Sequence, residues 1–134
     1  MASAEITIQD VLDFARVSGA FAAVSREVAA RKTAVAAARA RGICVTDDEL
    51  QKAADAFRIV HGLKSAADTE KWLSGSGLTV EAFEEYLVTN LLIMKLKQSL
   101  VAEADKAQIM DSEPARTALG DVLYQQWLSQ QMGA

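Results

Sequence analysis

This chain has few side chains suited to nucleophilic or metal chemistry, with one cysteine, Cys44, and one histidine, His61. A Cys–His pair can form an activated nucleophile, and a zinc site usually requires several such ligands. Cys44 is flanked by Ile43 and Val45, so we expect it to be a small buried hydrophobic residue. His61 precedes Gly62, so we expect it at the end of a helix, where it favours the helix dipole. These expectations leave no catalytic residue and no metal site.

Carboxylates are the other candidates for chemistry, because two of them can supply a general acid and a general base. Asp47, Asp48 and Glu49 are expected in a first helical turn, where negative charge is favoured. Glu84 and Glu85 are expected on a solvated helix face. The sequence contains no Glu-x-x-His pair and no glycine-rich phosphate loop. We therefore predict that the protein is not an enzyme and uses no cofactor.

Composition favours a single helical domain. The 134 residues are 51% hydrophobic, and seven glycines and one proline are few for an all-β fold. The net charge of −4 disfavours a nucleic-acid partner. The densest apolar run, residues 91–94, is interrupted by Lys95, and the first ten residues lack the pattern of a secretory signal. We expect a soluble, cytoplasmic protein with no membrane partner.

Start and stop signals divide the chain into helices. Thr46 and Glu49 have the spacing of a capping box, and Gly42 and Gly62 are suited to helix ends. The segment between the fifth and last helices has the poorest helical pattern. The predicted fold is all-α, a compact orthogonal bundle of about six helices in one domain, residues 1–134. The expected helices cover roughly residues 8–17, 21–41, 46–61, 65–75, 79–103 and 114–131, and the last one is expected to pack back on residues 45–103.

The fifth predicted helix is apolar over more than half of its circumference, which exceeds a single core-facing stripe. Such a helix is either central in a bundle or exposes one face to a partner. Aromatic and Met side chains suit variable, partly wet contacts. The candidate partner-binding residues are Trp72, Phe83, Tyr86, Leu87, Met94, Tyr124 and Trp127.

Charge is unevenly distributed along the chain. Basic residues dominate from Arg16 to Arg41, whereas acidic residues prevail from Asp47 to Glu85. Complementary packing of the two halves, or simple solvation, accounts for this pattern, and the alternative is a specific acidic partner for the basic second helix.

Several motifs together resemble a known family. They are Val45-Thr46-Asp47-Asp48-Glu49-Leu50, Phe57-Arg58, Gly62-Leu63, Thr69 with Trp72-Leu73, and Gly77-Leu78-Thr79 with Phe83 and Leu87. This pattern resembles the N-terminal chaperone domain of SurA-type parvulin prolyl isomerases, particularly the cyanobacterial and peptide-maturation relatives. Residues 124–128 resemble the C-terminal helix that completes this module. In the family a parvulin domain normally lies between these two parts, whereas here only residues 104–116 do.

The resemblance implies a chaperone module without isomerase activity. We expect a non-catalytic protein that binds an apolar polypeptide segment, as a small chaperone or as a substrate-presenting accessory in peptide maturation. The alternative is an obligate structural subunit of a multi-protein enzyme complex. An enzyme with a cofactor bound inside the bundle is disfavoured because ligands are lacking. The oligomeric state, homo- or hetero-oligomer included, is left open.

Overall fold

The computed structural model describes residues 5–105 and 113–133, which contain six α-helices and no β-strand. The predicted all-α bundle is confirmed, and each predicted helix is present within a few residues of its expected bounds. Most of the poorly helical segment, residues 106–112, lies outside the described residues. The helices are α1 (Ile8–Ser18), α2 (Ala20–Ala40), α3 (Asp47–Val60), α4 (Ala66–Ser76), α5 (Val80–Asp105) and α6 (Glu113–Gln131).

Side-chain caps fix the starts of α1, α3, α4 and α5. The Thr46 hydroxyl accepts the Glu49 amide at 3.1 Å, and the Thr46 amide donates to the Glu49 carboxylate at 2.9 Å. Both halves of the predicted capping box are therefore present. Ser65 and Thr79 cap α4 and α5, each accepting the amide three residues onward at 3.1 Å. Because these contacts are local, the sequence alone is sufficient to place the helix starts.

Gly19 separates α1 from α2. Its φ of 84° lies in the left-handed region, which glycine adopts without steric cost. The residue ends α1 as its C-cap and also precedes the first residue of α2. The two helices are thus joined by a single residue, and α1 contacts mainly the adjoining α2 without burying any residue.

The larger core lies between α2, α5 and α6. Ala34 and Ala38 of α2 are fully buried, as is Leu96 of α5. Small side chains four residues apart let the α2 backbone approach α5 closely. The buried cluster consists of Ala34, Ala38, Leu92, Leu96, Tyr124 and Leu128.

α6 packs against α5 and also contacts α2. Gly120 allows this approach, because a Cβ atom at that position would lie 3.3 Å from Cγ2 of Val101. Lys97 of α5 donates to the Asp121 carboxylate of α6 at 2.8 Å. α6 is therefore an integral part of the bundle.

A second, smaller core lies between α3, α4 and α5. Its buried members are Leu73, Phe83 and Leu87, and partly buried residues of α3 pack around them. α5 is central to the fold because it contributes to both cores.

The link between α2 and α3 corrects one expectation. Cys44 is exposed, so the prediction that it is buried is wrong. Its neighbours Ile43 and Val45 pack against the larger core, and successive side chains of an extended link point to opposite sides. Lys95 holds the link to α5 by donating to the Cys44 carbonyl and to the Glu49 carboxylate, both at 2.7 Å.

Among the described helices, none combines the length and apolarity that a membrane span requires.

Candidate functional site

Three of the seven predicted partner-binding residues belong to the cores. Phe83, Leu87 and Tyr124 retain only 7%, 4% and 7% exposure. Trp72 and Trp127 are partly buried beside the smaller and larger core, respectively. These five side chains therefore hold helices together, and they do not form one shared surface.

The other two predicted residues are exposed, but in different places. Tyr86 lies in a groove between α2 and α5, where the Arg31 guanidinium sits 5.1 Å above its ring. Met94 lies in a separate groove of about 590 Å³ between α5 and α6, which Val101 and Gly120 also line. The two exposed candidates on α5 thus line two different grooves.

A third groove, between α3, α4 and the start of α5, combines an apolar floor with a negatively charged rim. Its volume is about 550 Å³. We call it the acidic groove. The floor is formed by Leu50, Ala54, Leu73, Val80 and Phe83, and the charged residues around it are Asp47, Arg58, Glu70 and Glu84. Three carboxylates against one guanidinium make the rim net negative.

A cluster of aromatic rings includes Phe83, which forms part of the floor of the acidic groove. Phe57 of α3 lies 5.0 Å from the Phe83 ring and 5.3 Å from the Trp72 ring, measured between centroids. The His61 ring stacks on Phe57 at 4.0 Å. Aromatic pairs at these distances stabilise their mutual orientation beyond simple area burial. His61 thus extends an aromatic cluster at the end of α3, a contact that its sequence position did not predict.

A series of exposed large apolar side chains runs from Ile6 through α1 and the first half of α2, a segment that we call the apolar arm. None of its residues is among the seven predicted to bind a partner. The signal is present, since apolar residues recur every three or four positions, but a core-facing helix has the same periodicity. The exposed large side chains of the arm are Ile6, Ile8, Val11, Phe14, Val17, Phe21, Val24 and Val28.

The surroundings of Glu49, Asp10 and Tyr124 shift the pKa values of these side chains. The hydrogen bond from Lys95, followed by that from the Thr46 amide, lowers the pKa of Glu49 to about 2. A backbone hydrogen bond from Thr7 lowers the pKa of Asp10, which forms the capping box of α1. Burial raises the pKa of Tyr124. Within residues 5–105 and 113–133, no group of three potential ligands is placed to hold a metal ion.

Comparisons with protein-family models, curated proteins and solved structures find no match to this chain. The similarity to the SurA-type chaperone domain therefore stays a prediction, and the function it implies is taken up as a proposal.

Proposed function

We propose that this protein is a non-catalytic polypeptide-binding protein, either a small chaperone or an accessory that presents a substrate during peptide maturation. The occupant of its acidic groove is an apolar segment flanked by Lys or Arg. One observation carries the proposal: the groove has an apolar floor edged by Asp47, Glu70 and Glu84. This site lies in the part of the chain that resembles the substrate-holding helices of the SurA-type family.

The size of the acidic groove suits a short piece of polypeptide. At about 550 Å³ it is within the range of small binding pockets and accommodates a few apolar side chains. An amphipathic helix or an extended strand of the bound polypeptide can supply these apolar side chains from one of its faces. Phe83 and Leu73 form the deepest part of the floor, since each is 7% exposed.

The rim determines which apolar segments bind. Complementary charges at the edge of an interface raise the association rate and discourage wrong partners. Lys or Arg beside the apolar residues places positive charge near the rim carboxylates, whereas acidic flanks are repelled. Because the rim is open to solvent, salt screens this selectivity.

Fluorescence anisotropy with labelled peptides tests the proposal. The two peptides share one apolar segment and differ only in Lys or Glu flanks. We expect the Lys-flanked peptide to bind more tightly and to lose affinity as salt is added. The Glu84→Lys variant should bind the Lys-flanked peptide about three- to tenfold more weakly, because exposed charge pairs contribute about 0.2–1 kcal/mol and reversal exchanges attraction for repulsion.

Glu85→Lys is the matched control. Glu85 is the next residue of α5, so its substitution by Lys changes the charge by the same amount as Glu84→Lys. Its side chain, however, lines the groove between α2 and α5. The affinity of the Glu85→Lys variant for the Lys-flanked peptide should stay close to that of the wild type. Equal effects of the two substitutions would mean that overall charge, and not the acidic groove, governs binding. No binding of either peptide would contradict the proposed function.

An obligate subunit of a multi-protein complex is the second candidate, and the apolar arm is the observation that favours it. A permanent interface is more apolar than a transient one. If the purified chain aggregates alone and becomes soluble only when co-expressed with a partner, this candidate replaces the transient binder.

A further inference from the structure

The apolar arm exposes a series of large hydrophobic side chains to solvent. Its eight large apolar side chains are between 41% and 91% exposed. With aromatic and aliphatic side chains of this size, the exposed fractions sum to several hundred Å² per copy. A stable interface buries about 800 Å² on each partner, so the arm provides a substantial part of one.

The same chain cannot cover this surface by folding α1 back on α2. The two helices are joined by Gly19 alone, whereas antiparallel helix hairpins need a loop of about two to five residues. In agreement, Phe14 remains 75% exposed and Val17 remains 91% exposed. Within residues 5–105 and 113–133, no other element covers these side chains.

The charges of the arm are complementary to those of a second copy in antiparallel orientation. The first part of the described arm is purely acidic, with Glu5, Asp10 and Asp13. The later part of the arm and the turn of α2 that follows it, residues 16–32, are basic, since they contain three Arg and one Lys against one Glu. Antiparallel pairing places the acidic half of each arm beside the basic half of the other, whereas parallel pairing opposes like charges. With a two-fold axis near the middle of the arm, the acidic part of each copy pairs with the basic part of the other copy.

The surface also continues into a groove on the bundle. Val28, the last residue of the apolar arm, lines the groove between α2 and α5 together with Tyr86 and Lys32. An α1 helix that lies antiparallel along α2 brings its apolar first turn toward this groove and its acidic residues toward Lys32. The half-exposed Tyr86 thus gains a contact that the single chain does not provide.

We propose that the apolar arm is a dimerisation element, which pairs antiparallel with the arm of a second copy to give a two-fold symmetric dimer. This surface is separate from the acidic groove, so the proposal does not depend on polypeptide binding.

Sedimentation velocity of the full chain over a wide range of concentrations tests the proposal. The wild type should form a dimer that dissociates on dilution. Phe14→Glu introduces a charge twice into the symmetric interface and should raise the dissociation constant at least about tenfold. Because Phe14 lies outside both cores, circular dichroism of this variant should match that of the wild type.

Ile59→Glu is the matched control, since Ile59 is 81% exposed on α3 and outside the apolar arm. This variant should dimerise as the wild type does. A wild type that is monomeric at every concentration overturns the proposal, as does a Phe14→Glu variant that dimerises normally or an Ile59→Glu variant that is equally impaired. Aggregates without defined stoichiometry also overturn it and favour a different protein as the occupant.

Cross-linking determines the orientation. In a Cys44→Ser background, Val17→Cys lies near the two-fold axis and should join two copies through a short bismaleimide. Ile8→Cys lies at one end of the arm and should not cross-link to its own equivalent. If Ile8→Cys cross-links to itself, the arms are parallel and the proposed dimer is wrong. Failure of Val17→Cys to cross-link under conditions where the chain is dimeric also contradicts it.

Discussion

Replacement of Leu128 by alanine tests whether α6 is an essential part of the fold. Leu128 is 8% exposed and belongs to the larger core with Leu96 and Tyr124. The substitution removes about three carbon atoms, and at about 0.8 kcal/mol for each buried CH₂ group the lost transfer free energy is roughly 2.4 kcal/mol. Because Leu128 lies near the end of α6, the site can partly collapse, so we expect a total near the lower end of the usual 2–5 kcal/mol.

Thermal and urea unfolding, followed by circular dichroism, measure this effect. A loss of about 2–3 kcal/mol from a stability of about 5–15 kcal/mol should lower Tm by roughly 10 °C. The matched control is Val122→Ala on the same helix, where the side chain is 54% exposed and the change should cost under about 0.5 kcal/mol. If Leu128→Ala melts within about 2 °C of the wild type, or if both variants lose the same stability, α6 is not packed as described.

Two further predictions concern the polar residues. Cys44 should react with a thiol reagent in the native protein because it is exposed, and Cys44→Ser and His61→Ala should leave peptide binding in the acidic groove unchanged; loss of binding with an unchanged fold would indicate a chemical role. Glu49 should contribute to acid sensitivity, because its pKa falls to about 2 in the folded chain. Since a lowered folded-state pKa stabilises the fold above the ordinary carboxyl value of about 4.3, this contribution should be lost as the pH falls from about 5 toward 2. The free energy of unfolding, measured with urea near pH 5 and near pH 2, should therefore fall less on acidification for Glu49→Gln than for the wild type. Equal decreases for the two proteins would contradict the Lys95–Glu49 interaction.

The sequence predicts some residues of the candidate sites but not how these residues are arranged. The residue types of Trp72 and Phe83 predict contact with a partner, and both side chains belong to the cluster beside the acidic groove. The acidic rim was visible as a bias in composition, but its position over an apolar floor depends on how α3, α4 and α5 meet. The sequence does not predict that the apolar arm is exposed, because periodicity does not reveal whether another helix covers an apolar stripe.

The sequence by itself determined the six helices and their ends. Caps such as Thr46 with Glu49, and glycines such as Gly19, act between residues at most a few positions apart, so their effect is independent of the rest of the fold. Only the tertiary structure decided which apolar side chains became core. In α2, the small residues Ala34 and Ala38 approach α5 closely and are fully buried, whereas Val24 remains 62% exposed. Burial depends on contacts between helices far apart in the chain, and the pattern within one helix does not contain that information.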